Sequence, residues 1–217
     1  MGQEEKPFVS WAIVGICAAV YVLQWLLGVN LVAGNFGMQP VAIGLGGEWY
    51  RLVTSMFLHG SILHLLFNMY VLVALGPTLE RILGHVRFLV LFLLAGLGGA
   101  ALSYALSSPM TVSVGASGAI FGLMGALVVA GRRLRYDITM VVVLIAINLV
   151  IGFVFSSGID WRAHVGGLAT GAAVAAVMVV PHGRRAAAAE WGGVAAIAIV
   201  VVLVIAFRTA QLSSLVG

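Results

Sequence analysis

The stretch VGASGAIFGLMGALVVAGRRLRYD, residues 114–137, decides how the whole chain is read. It opens with a knot of small residues, Gly115-Ala116-Ser117-Gly118. It then runs without a charge from Ala119 to Ala130 and stops at Arg132, Arg133 and Arg135. An uncharged apolar run closed by a basic cluster is the pattern of a membrane-spanning helix whose far end lies in the cytoplasm. The small residues at its head have two readings. They form a notch that lets two helices touch, or they expose the Ser117 hydroxyl to a reacting partner.

Composition extends the membrane reading to the whole chain. Hydrophobic residues fill 62% of the 217 positions and charged residues only 8%, against roughly 25% charged in a soluble domain. So few charges cannot cover a water-facing surface, and lipid must be the solvent for most of the chain. Barrel strands alternate apolar and polar residues with period two. These runs are continuously apolar, so they are helices, which satisfy their own backbone hydrogen bonds. The net charge of +4 sits largely in short loops between apolar runs. It therefore reads as topology rather than as a nucleic-acid surface. Cys17 is the one cysteine, so no intramolecular disulfide forms, and its place inside the first run reads as packing. The N-terminal MGQEEKPF carries more acid than base ahead of a run of full span length, which predicts an uncleaved helix rather than a signal peptide.

A span needs about 20 apolar residues to cross roughly 30 Å of hydrocarbon. Seven runs qualify: 9–28, 54–76, 86–106, 115–131, 138–155, 161–180 and 191–208. The intervening VNLVAGNFGMQPVAIGLGGEWY, residues 29–50, is broken by glycines, Asn35 and Pro40. It is expected at the membrane interface, anchored by Trp49 and Tyr50. No internal repeat divides the chain, so residues 1–217 read as one membrane domain. With the N-terminus inside, the inner segments hold Lys6, Arg81, Arg87, Arg132, Arg133, Arg135, Arg184 and Arg185, and the outer ones Arg51, Arg162 and Arg208. That asymmetry puts the N-terminus in the cytoplasm and the C-terminus outside. Spans two, four and six then all run inward from the outer face. At 1.5 Å per residue, His59, His64, Asn68, Ser117 and His164 fall in the same outer half of the membrane.

Polar groups inside a membrane are costly and are functional candidates by default. In HGSILHLLFNMY, residues 59–70, His64 and Asn68 are spaced i, i+4 and share one helical face. His59 lies five residues before His64, with no glutamate between, which does not match the helical zinc pattern; no metal site and no cofactor is expected. Two readings stay open for this segment. Each histidine bonds a backbone carbonyl and packs the bundle, the reading favoured for His59, or His64 and Asn68 form a donor pair. In WRAHVGGLATGAA, residues 161–173, Gly167 and Gly171 give span six a flat face, as Gly118 and Gly122 give span four. If those faces meet, His164 lies near Ser117.

A serine hydroxyl becomes a nucleophile when a neighbouring base takes its proton, and His164 is the candidate base. The carboxylates, Glu4, Glu5, Glu48, Glu80, Asp137, Asp160 and Glu190, all lie at span ends or in loops. Asp160, four residues before His164, reads as the N-cap of span six. The expectation is a Ser–His dyad whose imidazole is oriented by packing. Donors for a developing oxyanion would come from His64, the Asn68 amide and the Ser117 backbone N–H at a helix start.

With these residues in place, the chain resembles the rhomboid intramembrane serine proteases. GASG at the head of one span, AHVGG in a later one and HGSILHLLFN in an earlier one follow the family's order across residues 48–171. The resemblance implies Ser117 as nucleophile and His164 as general base. It places His64 and Asn68, with His59, Gly115 and Gly118, in the oxyanion and substrate-binding set. It implies an aromatic, Phe121, stacked under the histidine. EWYRLVTSMFLH resembles the family's Trp-Arg element, with Arg51 in place but Tyr50 rather than a tryptophan before it. The implied fold is all-α: a rhomboid-like six-helix bundle with a catalytic core over 48–180, plus one extra C-terminal transmembrane helix over 191–208. The implied activity is cleavage of peptide bonds in or near the transmembrane helices of single-span or polytopic membrane proteins. The surroundings are the lipid bilayer, with no nucleic acid, and oligomeric state is left open. An Ala-, Gly- and Arg-rich composition suggests a bacterial cell membrane, with the site opening to the outer face. A non-cutting relative is disfavoured because Ser117 and His164 are both present. A transporter is disfavoured because no Asp or Glu sits in mid-span.

Overall fold

The computed structural model describes residues 6–154, 159–179 and 184–214. Glu4, Glu5, Phe155 and Val180 lie outside them, as do the side chains of Arg184 and Arg185. Among the described residues the apolar runs are helical, and the single β feature is an isolated antiparallel bridge between Met38 and Ser113. The helices are α1 Phe8–Leu27, α2 Val29–Phe36, α3 Pro40–Gly44, α4 Arg51–Thr54, α5 Ile62–Leu83, α6 His85–Leu106, α7 Ser117–Leu134, α8 Thr139–Val154, α9 Trp161–Met178 and α10 Arg184–Ser213; a 3-10 turn, Ser55–Phe57, follows α4. Five are long and apolar enough to cross a membrane: α1, α5, α6, α7 and the Ala187–Ser213 stretch of α10. α8 is apolar but shorter, and α9 is diluted by its glycines, alanines, Arg162 and His164. The architecture is that of a polytopic all-α membrane protein.

Two elements depart from the expected boundaries. The second span was expected over 54–76, but the helix runs Ile62–Leu83. Residues 51–57 are drawn into short turns, and α5 starts only where the Ser61 hydroxyl accepts the His64 N–H at 3.1 Å. At its other end α5 continues through Pro77 to Leu83, and its last turn carries Glu80. That buried carboxylate accepts Val9 N (2.9 Å), Ser10 N (2.7 Å) and Ser10 Oγ (2.6 Å), and lies 2.6 Å from His85 Nδ1. It thereby satisfies orphan N–H groups at the start of α1, whose N-cap Pro7 offers no side-chain acceptor. The last span was expected over 191–208, and α10 overruns it at both ends. Glu190 can enter the helix because Arg87 of α6 grips both its oxygens.

The centre is a close-packed trio of α6, α7 and α9, joined through glycine. A Cβ on Gly167 would stand 1.9 Å from the Gly118 carbonyl oxygen, one on Gly171 2.2 Å from that of Gly122, and one on Gly166 2.5 Å from that of Gly98. Lipid offers no hydrophobic drive for helix association, so such contact by small residues supplies the adhesion. The notch reading of residues 115–118 therefore holds. α10 lies against α6, α9 and α3. Its C-terminal end is held by Tyr104 Oη to Thr209 Oγ1 (2.8 Å), by Arg208 Nη2 donating to the Ser107 carbonyl (3.1 Å), and by Leu212 packed with Ile43 and Tyr104.

Candidate active site

Ser117 is the first residue of α7, and Gly115 turns the chain into it with φ +134°. No β-carbon fits at Gly115 in any case, because it would sit 2.8 Å from Cε1 and Nε2 of His64. The turn is tied on its other side: Gly115 N donates to the Ser55 carbonyl (2.9 Å), and Ser113 exchanges both backbone hydrogen bonds with Met38 (3.0 and 2.9 Å). The loop ahead of α5 thus fixes where α7 begins. Arg51 fixes that loop in turn. Its buried guanidinium donates to the carbonyls of Gly34 (2.7 Å) and Gly37 (3.0 Å) and to Glu48. The Arg51 hydrogen bond, aided by that from Tyr50, holds the Glu48 carboxyl below its ordinary range.

His164 enters from α9. Asp160 caps that helix as expected, its Oδ1 accepting Arg162 N (3.2 Å) and Ala163 N (3.3 Å). One helical turn on, the imidazole lies parallel to the Phe121 ring, with centroids 4.2 Å apart and 10° between planes. Its Nε2 is 2.9 Å from Ser117 Oγ. Nδ1 is buried and meets no hydrogen-bond partner among the described residues. With the proton on Nδ1, Nε2 accepts from the serine hydroxyl. His164 is only 7% exposed while Ser117 is half-buried. A cavity of about 20 Å³, lined by Ser55, Gly96, Ser113, Gly115, Gly118 and Ala163, lies alongside, with room for about one water.

The other candidates sit nearby in different ways. The His64 ring lies against Gly115, and its Nδ1 faces Gly60 N at a long 3.5 Å. Asn68, on the same face, donates one amide N–H to the His64 carbonyl of its own helix (3.0 Å), which leaves a second N–H. Gly118 faces the Ala163 carbonyl and Gly99, so its contacts are those of helix packing. His59 precedes α5 rather than lying within the span. It is wholly buried, its ring edge-on to His64 with centroids 5.1 Å apart. The sequence reading favoured a carbonyl bond for this ring; the Phe57 carbonyl is the backbone group that faces it, although neither ring nitrogen makes a hydrogen bond of full geometry among the described residues. Its position is set through the main chain instead: His59 N donates to Gln24 Oε1 (2.9 Å), and Gln24 Nε2 donates to the His59 carbonyl (3.1 Å). Gln24 had no place in the sequence reading. Its signal was there, as the one amide in an otherwise apolar span.

A family model described as Rhomboid domain matches residues 46–181, more than half of the chain. Rhomboid protease GluP of Bacillus subtilis (strain 168) is 38% identical over 189 residues, covering 82% of this chain and 36% of GluP. Rhomboid protease AarA of Providencia stuartii is 33% identical over 182 residues, covering 70% of this chain and 64% of AarA. RHOMBOID-like protein 4 of Arabidopsis thaliana is 37% identical over 155 residues, covering 67% of this chain and 38% of that protein. The chain thus spans less than two thirds of the length of each of these relatives.

Proposed function

The chain belongs to the rhomboid family of integral membrane proteins, and from that premise we propose that it is an intramembrane serine endopeptidase working through a Ser117–His164 dyad. The observation that carries the proposal is the 2.9 Å contact between Ser117 Oγ and His164 Nε2, made across two helices pressed together by glycine. As Oγ attacks the scissile carbonyl, His164 takes the hydroxyl proton on Nε2 and then delivers it to the leaving amine. The acyl-enzyme is hydrolysed by water reaching the half-buried serine, with the same imidazole as base. The stack on Phe121 holds the ring through both transfers.

The developing oxyanion needs donors in place before reaction. The Ser117 N–H at the start of α7, the second N–H of Asn68, and His64 Nε2 are the candidates. Gly60 N facing His64 Nδ1 favours the tautomer with its proton on Nε2. Substrates would be membrane-embedded helices. Gly, Pro or polar residues near the cut lower the cost of unwinding the helix that shields the bond. In this reading residues 48–180 form the catalytic core and 191–208 the additional helix. In the same reading the N-terminus is cytoplasmic and the site opens to the outer face, which the Lys and Arg asymmetry of the loops supports, in a bacterial cell membrane, as the Ala-, Gly- and Arg-rich composition suggests.

The test is a fluorophosphonate probe on the detergent-purified chain, alongside co-expression with a tagged single-span protein. Labelling and cleavage are expected for the intact chain and absent in Ser117→Ala. Labelling that persists in Ser117→Ala defeats the proposal.

A further inference from the structure

Asp160 does more than cap a helix. An N-cap requires one side-chain acceptor, which Oδ1 supplies. Oδ2 is engaged separately, accepting the hydroxyl of Ser113 at 2.6 Å and that of Ser103. Ser113 stands four residues before Ser117, in the segment bridged to Met38. Ser103 lies on α6, with its Oγ 3.2 Å from Ser107 Oγ, and the Ser107 carbonyl accepts from Arg208 of α10. His164 stands four residues after Asp160, and its own backbone N–H donates to the Asp160 carbonyl (3.2 Å).

One carboxylate thus ties together the approach to the serine, the first turn of the histidine helix and the central helix beside both. We infer that Asp160 is a positioning residue that sets Ser117 and His164 in register by clamping Ser113 and Ser103 to the start of α9. The inference rests on the dyad reading above. Asp160 is not the third member of a triad, since His164 Nδ1 has no hydrogen-bond partner among the described residues. That lack makes the clamp matter more. With no acid gripping the ring, the imidazole is placed by the backbone that carries it and by Phe121. A misplacement of about 1 Å costs on the order of a hundredfold in rate.

The full-length chain in detergent provides the test, with three readouts: the rate of fluorophosphonate labelling, kcat and KM on a single-span substrate, and Tm. Labelling reports Ser–His geometry without a bound substrate. The double variant Ser103→Ala/Ser113→Ala empties Oδ2 and leaves the cap intact. Asp160→Ser keeps a capping oxygen and removes the second acceptor. Both are expected to lower labelling and kcat by about tenfold or more, with KM and Tm close to the parent. Wild-type labelling rates in either variant overturn the inference, as do losses confined to KM or accounted for by a lowered Tm. Failure of the parent chain itself to label Ser117 would instead overturn the dyad reading, so the two failures are distinct.

Discussion

At Gly115 two constraints coincide: a φ of +134°, which L side chains rarely adopt, and a β-carbon position 2.8 Å from the His64 ring. Gly115→Ala is expected to cost about 1–3 kcal/mol of stability, and labelling of the remaining folded protein should collapse because the His64 ring is displaced. Thermal melting read beside probe labelling separates the two losses. Phe121 and His164 pose the complementary case. Phe121→Leu keeps an apolar residue but removes the flat ring, and should slow labelling by about tenfold with little change in Tm. Equal labelling would mean that the stack does not orient the imidazole. For the oxyanion candidates, His64→Ala and Asn68→Ala should reduce kcat more than they raise KM, because such donors act chiefly in the transition state. A change in KM alone would assign both residues to packing or substrate binding.

Helices α7 and α9 meet along Gly118, Gly122, Gly167 and Gly171, with no room for side chains between them. Gly167→Ala pushes a methyl into the Gly118 carbonyl and must separate the two helices, whereas Gly15→Ala on α1 meets nothing within 4 Å. The first is expected to abolish probe labelling and lower Tm, and the second to leave both near the parent values; similar behaviour of the two would remove the glycine seam from the account. The loop between α1 and α5 follows a different logic, because Arg51 holds it by polar contacts. Hydrogen bonding to Arg51 depresses the Glu48 carboxyl, so this link contributes fully above the ordinary glutamate pKa of about 4.3. The contribution is lost as pH falls through the depressed value. Amide-exchange protection factors across residues 34–51, taken relative to the intrinsic rate at each pH, should therefore fall at acid pH, and Glu48→Gln should show part of that fall already at neutral pH. The Arg51 contacts to Gly34 and Gly37 survive in the variant, so the loop loosens without unfolding.

Across the whole molecule, α10 is joined to the bundle at both ends, by Arg87–Glu190 near one and by Tyr104, Arg208 and Leu212 near the other. Arg87→Gln leaves the buried Glu190 carboxylate uncompensated and is expected to cost roughly 2 kcal/mol, below the ~3–5 of a fully buried pair because Arg87 is partly exposed. A lowered Tm that Glu190→Gln restores in the double variant would identify the pair as the cause; an unchanged Tm in Arg87→Gln would place the hold on α10 elsewhere. The amino-acid sequence by itself determined that the chain is a membrane bundle, because 8% charge leaves no other solvent. It also marked where most helices run and singled out Ser117, His164, His64 and Asn68 as polar groups too costly to be incidental. The Glu80 link from α5 to the start of α1 and the reach of α10 past Glu190 were hidden, since each depends on a carboxylate paired with a distant element. The same is true of the Gln24 grip on His59 and of the three segments gathered by Asp160. Hydrophobicity and helical period act over a few neighbouring residues and can be read along the chain. Hydrogen bonds between residues 35 to 103 positions apart exist only once the helices have packed, so the tertiary structure alone decided which of these polar groups meet.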